Sequence, residues 1–167
     1  MSVVKSFFIL IVLTTFIPGC STNQNRPGLD KYLTIKTKSG DFQRVDIELA
    51  ITPQQMAIGL MHRTELKARS GMFFLFDDER EISFWMKDTL IPLDIIFITG
   101  EGIIHHIHPN AKPRDPTRIY SYGSVKAVLE INGGESAKLG LKIGDKVNHP
   151  LLENQFLKNK YQKTKFQ

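Results

Sequence analysis

One six-residue run limits the fold of this chain more than any other: in Leu93-Asp94-Ile95-Ile96-Phe97-Ile98 every residue but Asp94 is apolar. Side chains alternate between the two faces of a strand, so a strand that is apolar in both registers must be covered on both sides. The run predicts a central strand, and it demands other strands and covering segments to enclose it. Tyr32 to Thr37 and Phe42 to Leu49 flank the turn signal Ser39-Gly40-Asp41, and Val45, Ile47 and Leu49 alternate with polar residues, which predicts an antiparallel hairpin. Met72 to Phe76, Ile82 to Lys87, Ile103 to His108, Val125 to Ile131 and Asp145 to Val147 read as further strands, with Gly100-Glu101-Gly102 as a tight turn. Thr52-Pro53-Gln54-Gln55 matches a capping box with proline at the first helical position. Met56, Leu60 and Met61 lie near one face of the helix it starts, which is expected to end near His62 or Arg63. Gly59 within it costs about 1 kcal/mol relative to alanine, so a packing or turning reason is expected there. Gly133 to Gly140 predicts a second short helix, ended by glycine. Pro109 to Arg118, with Pro113 and Pro116, predicts a long surface loop. The expected fold class is α+β: one β-rich domain over residues 31–149, a mostly antiparallel barrel-like sheet with two short helices, large enough to bury a core unaided.

The N-terminus carries an address. Lys5 precedes the apolar run Phe7 to Ile17, which closes on Ile17-Pro18-Gly19-Cys20 and resembles a bacterial lipoprotein signal with its lipobox cysteine. A spanning helix needs roughly 20 apolar residues, and this run is broken by Thr14, Thr15 and Pro18. Residues 1–19 therefore read as a removable leader, with lipid on Cys20 as the membrane anchor. Residues 20–30 read as a polar tether. Ser21 stands where an aspartate would suggest inner-membrane retention, so the expected location is the cell envelope, at an outer membrane facing the periplasm if the cell is Gram-negative. Cys20 is the chain's one cysteine, which excludes an intramolecular disulfide and, once acylated, any thiol chemistry. The 22 Lys and Arg outnumber the 17 Asp and Glu only modestly, so no nucleic-acid partner is expected. The basic extension 150–167 mixes Lys158, Lys160, Lys163 and Lys165 with Phe156, Tyr161 and Phe166. It reads as a solvated terminus or as a segment resting on an anionic bilayer.

Six segments occur together: Gly59-Leu60-Met61-His62-Arg63, Gly71 to Phe76, Phe84-Trp85-Met86-Lys87-Asp88-Thr89, Ile91-Pro92-Leu93-Asp94, Ala127-Val128-Leu129-Glu130 and Gly140 to Asp145. In this order, from about Leu33 to Val147, they resemble the uncharacterised bacterial and archaeal family called domain of unknown function 192. The resemblance implies a small β-rich domain, often exported, without an agreed activity, and no catalytic residue can be carried over. Asp88 stands where that family usually shows asparagine, and the cysteines some members carry in the proline-rich loop are missing.

Strand alternation puts Trp85 and Lys87 on one side. If Leu90 to Pro92 form a connection, Lys87 and Asp94 come within cross-strand reach. With Glu130, Tyr122, Asp88 and, further out, Arg63, they make a candidate pocket for a small molecule. The same residues serve equally as a structural ion pair of Lys87 with Asp94 or Glu130 beside a core Trp85, since buried charges persist only when paired. His105, His106 and His108 match no zinc signature, and alternation sends His105 away from the other two. No metal and no cofactor are expected. Phosphate-binding glycine loops, the Gly-x-Ser-x-Gly elbow and zinc-protease histidine pairs are all missing. Three readings stay open: an envelope lipoprotein binding a small molecule or envelope component, an enzyme using Lys87 with Asp94 or Glu130 as acid and base, and an accessory module for an unidentified protein partner.

Overall fold

The computed structural model describes residues 31–154. The leader, Cys20, the tether and the basic stretch from residue 155 onward lie outside the described residues. The elements run β1 (Tyr32–Lys36), β2 (Phe42–Ala50), α1 (Pro53–Ile58), β3 (Ser70–Phe84), β4 (Leu93–Ile98), β5 (Ile104–Ala111), β6 (Ile119–Asn132), α2 (Glu135–Lys138), β7 (Lys146–Asn148) and α3 (Pro150–Glu153).

All seven strands join one sheet in the order β5-β4-β6-β3-β2-β1-β7. Every pairing is antiparallel except β2 with β3, and that parallel pair needs the crossover through α1 because parallel neighbours cannot be joined by a tight turn. The long partners β3 and β6 slip register twice, and such bulges bend and twist a sheet. The sheet curls until Ile103 bridges Lys146, where Ile104 donates to the Asp145 carbonyl and Gly144 to the Ile104 carbonyl. The result is a β-rich half-barrel.

Alternation divides the core in two. Leu33, Ile35, Val45, Phe73, Leu75, Leu129 and Val147 belong to the cluster on one face, and Leu60, Phe74, Met86 and Val128 to the cluster on the other. β4 feeds both, Ile96 and Ile98 to the first and Leu93, Ile95 and Phe97 to the second, and all six of its residues are buried between β5 and β6. This is the central strand that its composition predicts. The β1–β2 hairpin and the capping box also form, with Gln55 N–H on Thr52 Oγ1 and the Gln55 side chain accepting from Thr52 N–H.

Five expectations are corrected. The two strands expected at Met72 to Phe76 and Ile82 to Lys87 are one strand, because the chain between Leu75 and Arg80 bulges without turning back. That strand stops at Phe84, which leaves Trp85 and Lys87 in a loop. β5 continues through Pro109 to Ala111, as proline is tolerated on an edge strand, so the loop begins only at Lys112. α1 ends earlier than His62, because Gly59 takes φ 50 as its C-cap and donates to the Gln55 carbonyl. A third helix, α3, follows β7, and it buries Leu151 and Leu152 in the core.

Asp94 fastens these parts together. Its side chain, fully buried, accepts from Asn110 N–H and Gly134 N–H on Oδ1 and from Ser136 N–H and Ser136 Oγ on Oδ2, at 2.6 to 2.8 Å. One carboxylate thus joins the central strand to the end of β5 and to α2. Asp94→Ala is expected to lower unfolding free energy by at least about 2 kcal/mol, since it orphans the buried Ser136 N–H and two half-buried amides. Urea denaturation followed by circular dichroism checks this, and an unchanged midpoint would contradict it.

Candidate functional site

Beyond the bulge, the ends of β3 and β6 pair as an arm, with Arg80 opposite Val125 and Phe84 opposite Ile119. Between this arm and α1 lies an open groove of about 430 Å³. Its floor is aromatic and aliphatic: Phe74 and Phe76, both buried, Ile82, and Phe84, which meets Phe74 edge-on at 5.0 Å. Met56 and Ala57 of α1 form one wall. The rim is cationic. The Arg118 guanidinium lies 4.5 Å from the centre of the Trp85 ring and donates to Ser83 Oγ at 3.2 Å, while the Arg80 guanidinium lies 5.3 Å from the Phe76 ring. Trp85 is 39% exposed, and Lys87 Nζ also approaches its ring, at 5.8 Å.

The loop that carries Trp85 is held at several backbone points. Met86 N–H donates to the Asp115 carbonyl, Arg114 N–H to the Thr89 carbonyl and His62 N–H to the Asp88 carbonyl, and the Met86 side chain is buried beneath. Asp88 itself is exposed with φ 59. Asparagine and aspartate enter this left-handed region most readily among residues with a side chain. That backbone demand accounts for aspartate in a place where the resemblance sets asparagine.

The residues expected to share a pocket are dispersed, apart from Trp85 and Lys87. Asp94 and Glu130 occupy opposite faces of the sheet: Asp94 pairs with Ile131 of the first cluster, and Glu130 with Met72 and Ile95 of the second. Lys87 is exposed and Asp94 is engaged by its four donors, so the expected cross-strand pair does not form. Arg63 makes a surface ion pair with Glu48 at 2.6 Å beside a separate depression lined by His62, Leu66 and Lys67, a contact worth little in water. Tyr122, 71% exposed with φ 55, sits on the second bulge of β6.

Glu130 is 4% exposed, and none of the described residues hydrogen-bonds its carboxyl. Burial pushes this acid up to about 8.

The histidines also differ from expectation. Ile98 pairs with Ile104 and Phe97 with His106, which leaves His105 as an extra residue. His105 Nε2 reaches the Tyr122 carbonyl at 3.3 Å while the His106 ring meets the Tyr122 ring edge-on at 5.2 Å. Burial, then the nearby His108 and His105, hold the His106 pKa below its usual value. Among the described residues no cluster of metal-ligating side chains forms.

Arg80 and Arg118 escaped the sequence reading. Arg118 falls within the proline-rich segment, and only the pairing of Phe84 with Ile119 brings it beside Trp85.

The family model for DUF192, described as an uncharacterized ACR, matches residues 34–149. The chain belongs to the DUF192 family. Two solved structures share the fold. A protein from Sinorhizobium meliloti, provisionally described as a transcription regulator, is 38% identical with a TM-score of 0.69, over 71% of this chain and 92% of that one. A protein of unknown function from Novosphingobium aromaticivorans is 45% identical with a TM-score of 0.67, over 70% of this chain and 83% of that one. No curated protein is significantly similar to the chain.

Two outcomes are expected in this DUF192 domain. The folded chain holds the Glu130 proton up to about 8 whereas the unfolded chain releases it near 4.5. The native state therefore binds more protons between those values, and this group's contribution is full below the lower one and lost as pH rises toward the higher. Glu130→Gln is expected to flatten the fall in stability across that window, measured by urea denaturation at several pH values. A parental slope in the variant would contradict the assignment. Asp88→Asn is expected to leave the melting temperature nearly unchanged, whereas Asp88→Val should cost about 1–2 kcal/mol by forcing a β-branched residue into the left-handed region.

Proposed function

We propose that this DUF192 domain is the binding module of a cell-envelope lipoprotein, held at the bilayer by lipid on Cys20, which takes a small molecule or envelope component into the groove beside Trp85. The observation that carries the binding reading is the groove itself. It has an aromatic floor, a few convergent polar groups at its rim and a volume of about 430 Å³, within the usual range of small-ligand sites. The envelope placement is supported by the leader, whose apolar run closes on Gly19-Cys20. The regulator description of the Sinorhizobium meliloti protein gains no support from helix geometry. Helices α1, α2 and α3 have 6, 4 and 4 residues, too short for a helix to lie along a major groove as DNA-reading helices do.

One observation favours the enzyme reading: an acid held near neutral pH suits proton transfer, and Glu130 is such an acid. The partnership with Lys87 that the reading requires is not supported, because Lys87 lies on an exposed loop.

Two measurements test the proposal. Cys20→Ser should move the chain from the membrane fraction to the soluble fraction of cells, and a variant that stays membrane-bound would end the lipoprotein reading. Native mass spectrometry of the purified full chain should show a co-purified molecule of small mass that Trp85→Ala loses. Absence of any bound species, together with no ligand from screens against cell extract, would end the binding reading.

A further inference from the structure

We infer that the groove beside Trp85 takes a single-chain anionic amphiphile, with an acidic head at the Arg80 and Arg118 rim and an apolar body on the phenylalanine floor. This rests on the binding reading above and names the class of ligand.

The charges of the lining carry the inference. Arg80 and Arg118 are both exposed, and neither forms a salt bridge with any described residue. Each guanidinium is instead seated against an aromatic ring, Phe76 or Trp85. A ring contact of this kind uses none of the five N–H donors of a guanidinium, which stay available to an acceptor. Ser83 Oγ takes one donor of Arg118. Glu81 is the one carboxylate on the described lining, so the groove holds a surplus of one positive charge, and Lys87 Nζ near the Trp85 ring adds to it. A neutral apolar ligand would leave the forks unused, and a cation would meet repulsion. A single carboxylate or phosphate head matches the fork bidentately.

The floor sets the rest of the ligand. Phe74, Phe76 and Ile82 carry no polar side-chain atom, so the floor is matched by a hydrocarbon body. Burying each methylene contributes about 0.8 kcal/mol. The groove opens to solvent on the rim side, where the exposed arginines stand, so a charged head need not be stripped of water while its tail is covered.

Trp85 is the chain's one tryptophan, and it lines the groove, which makes its fluorescence a direct report of occupancy. The purified full chain, in nanodiscs of zwitterionic lipid, is titrated with decanoate, decyl phosphate, decanol and decyltrimethylammonium. Saturable change is expected with the two anions, with affinity at least roughly tenfold weaker for decanol and no saturation with the cation. Arg118→Gln and Arg80→Gln should each weaken decanoate binding by roughly tenfold while leaving the melting temperature in place, and Arg118→Lys should recover part of the loss. Equal binding of decanol and decanoate, or arginine variants that bind decanoate as the parent does, would overturn the anion assignment and leave the binding reading standing. No saturable response to any of the four probes would overturn the amphiphile assignment, whereas the binding reading falls only if native mass spectrometry and the extract screens also find no bound species.

Discussion

The four-donor clasp on Asp94 is the constraint around which the domain is arranged. A carboxylate in an interior strand of a sheet apolar on both faces would be costly if unpartnered. Here every partner comes from a segment that must be brought in from elsewhere: Asn110 at the end of β5, Gly134 in the turn after β6 and Ser136 in α2. Satisfying one buried charge therefore places three connections. Asp145 repeats the device where the sheet edges meet. Its carboxylate accepts from Lys38 and Lys142 N–H while its carbonyl accepts from Ile104, tying the β1–β2 turn to the closure of the half-barrel.

Seen this way, the residues that mark the chain as a DUF192 member serve the fold. Gly71 lies so close to β6 that an added Cβ would stand 2.3 Å from the Glu130 carbonyl oxygen. Gly59 turns the chain out of α1 and faces Phe74. Asp88 accepts a left-handed backbone, and Asp94 and Asp145 are clasps. The charged rim of the groove, by contrast, is built from Arg80 and Arg118, which lie outside those shared segments. The cationic rim thus rests on residues outside the shared segments, whereas Trp85, Phe84 and the Phe74 and Phe76 floor of the groove lie within them.

Much of the scaffold was legible because its signals are local. The hairpin, the capping box, the covered central strand and the glycine-ended second helix each follow from a few neighbouring residues. The errors came where a long-range contact overrode a local cue. Met72 to Phe76 and Ile82 to Lys87 read as two strands, yet β3 runs through the residues between them because β6 offers partners on both sides. His105 alternates away from His106 on paper and bulges toward Tyr122 in the sheet. Leu151 and Leu152 look like part of a basic tail, and the core claims them because α3 folds back from β7.

The sequence by itself determined the strand-rich class, the strand covered on both faces, the family and the pattern that reads as an envelope address, since periodicity, caps and short motifs act within a few residues of one another. Only the tertiary structure decided which side chains meet. Lys87 and Asp94 are seven positions apart and end in separate surroundings, whereas Arg118 reaches Ser83, and Ser136 reaches Asp94, across 35 and 42 positions. Such encounters depend on which strands pair and in what register. That is settled by the joint burial of two apolar faces and the satisfaction of enclosed carboxylates such as Asp94 and Asp145, not by any one stretch of chain.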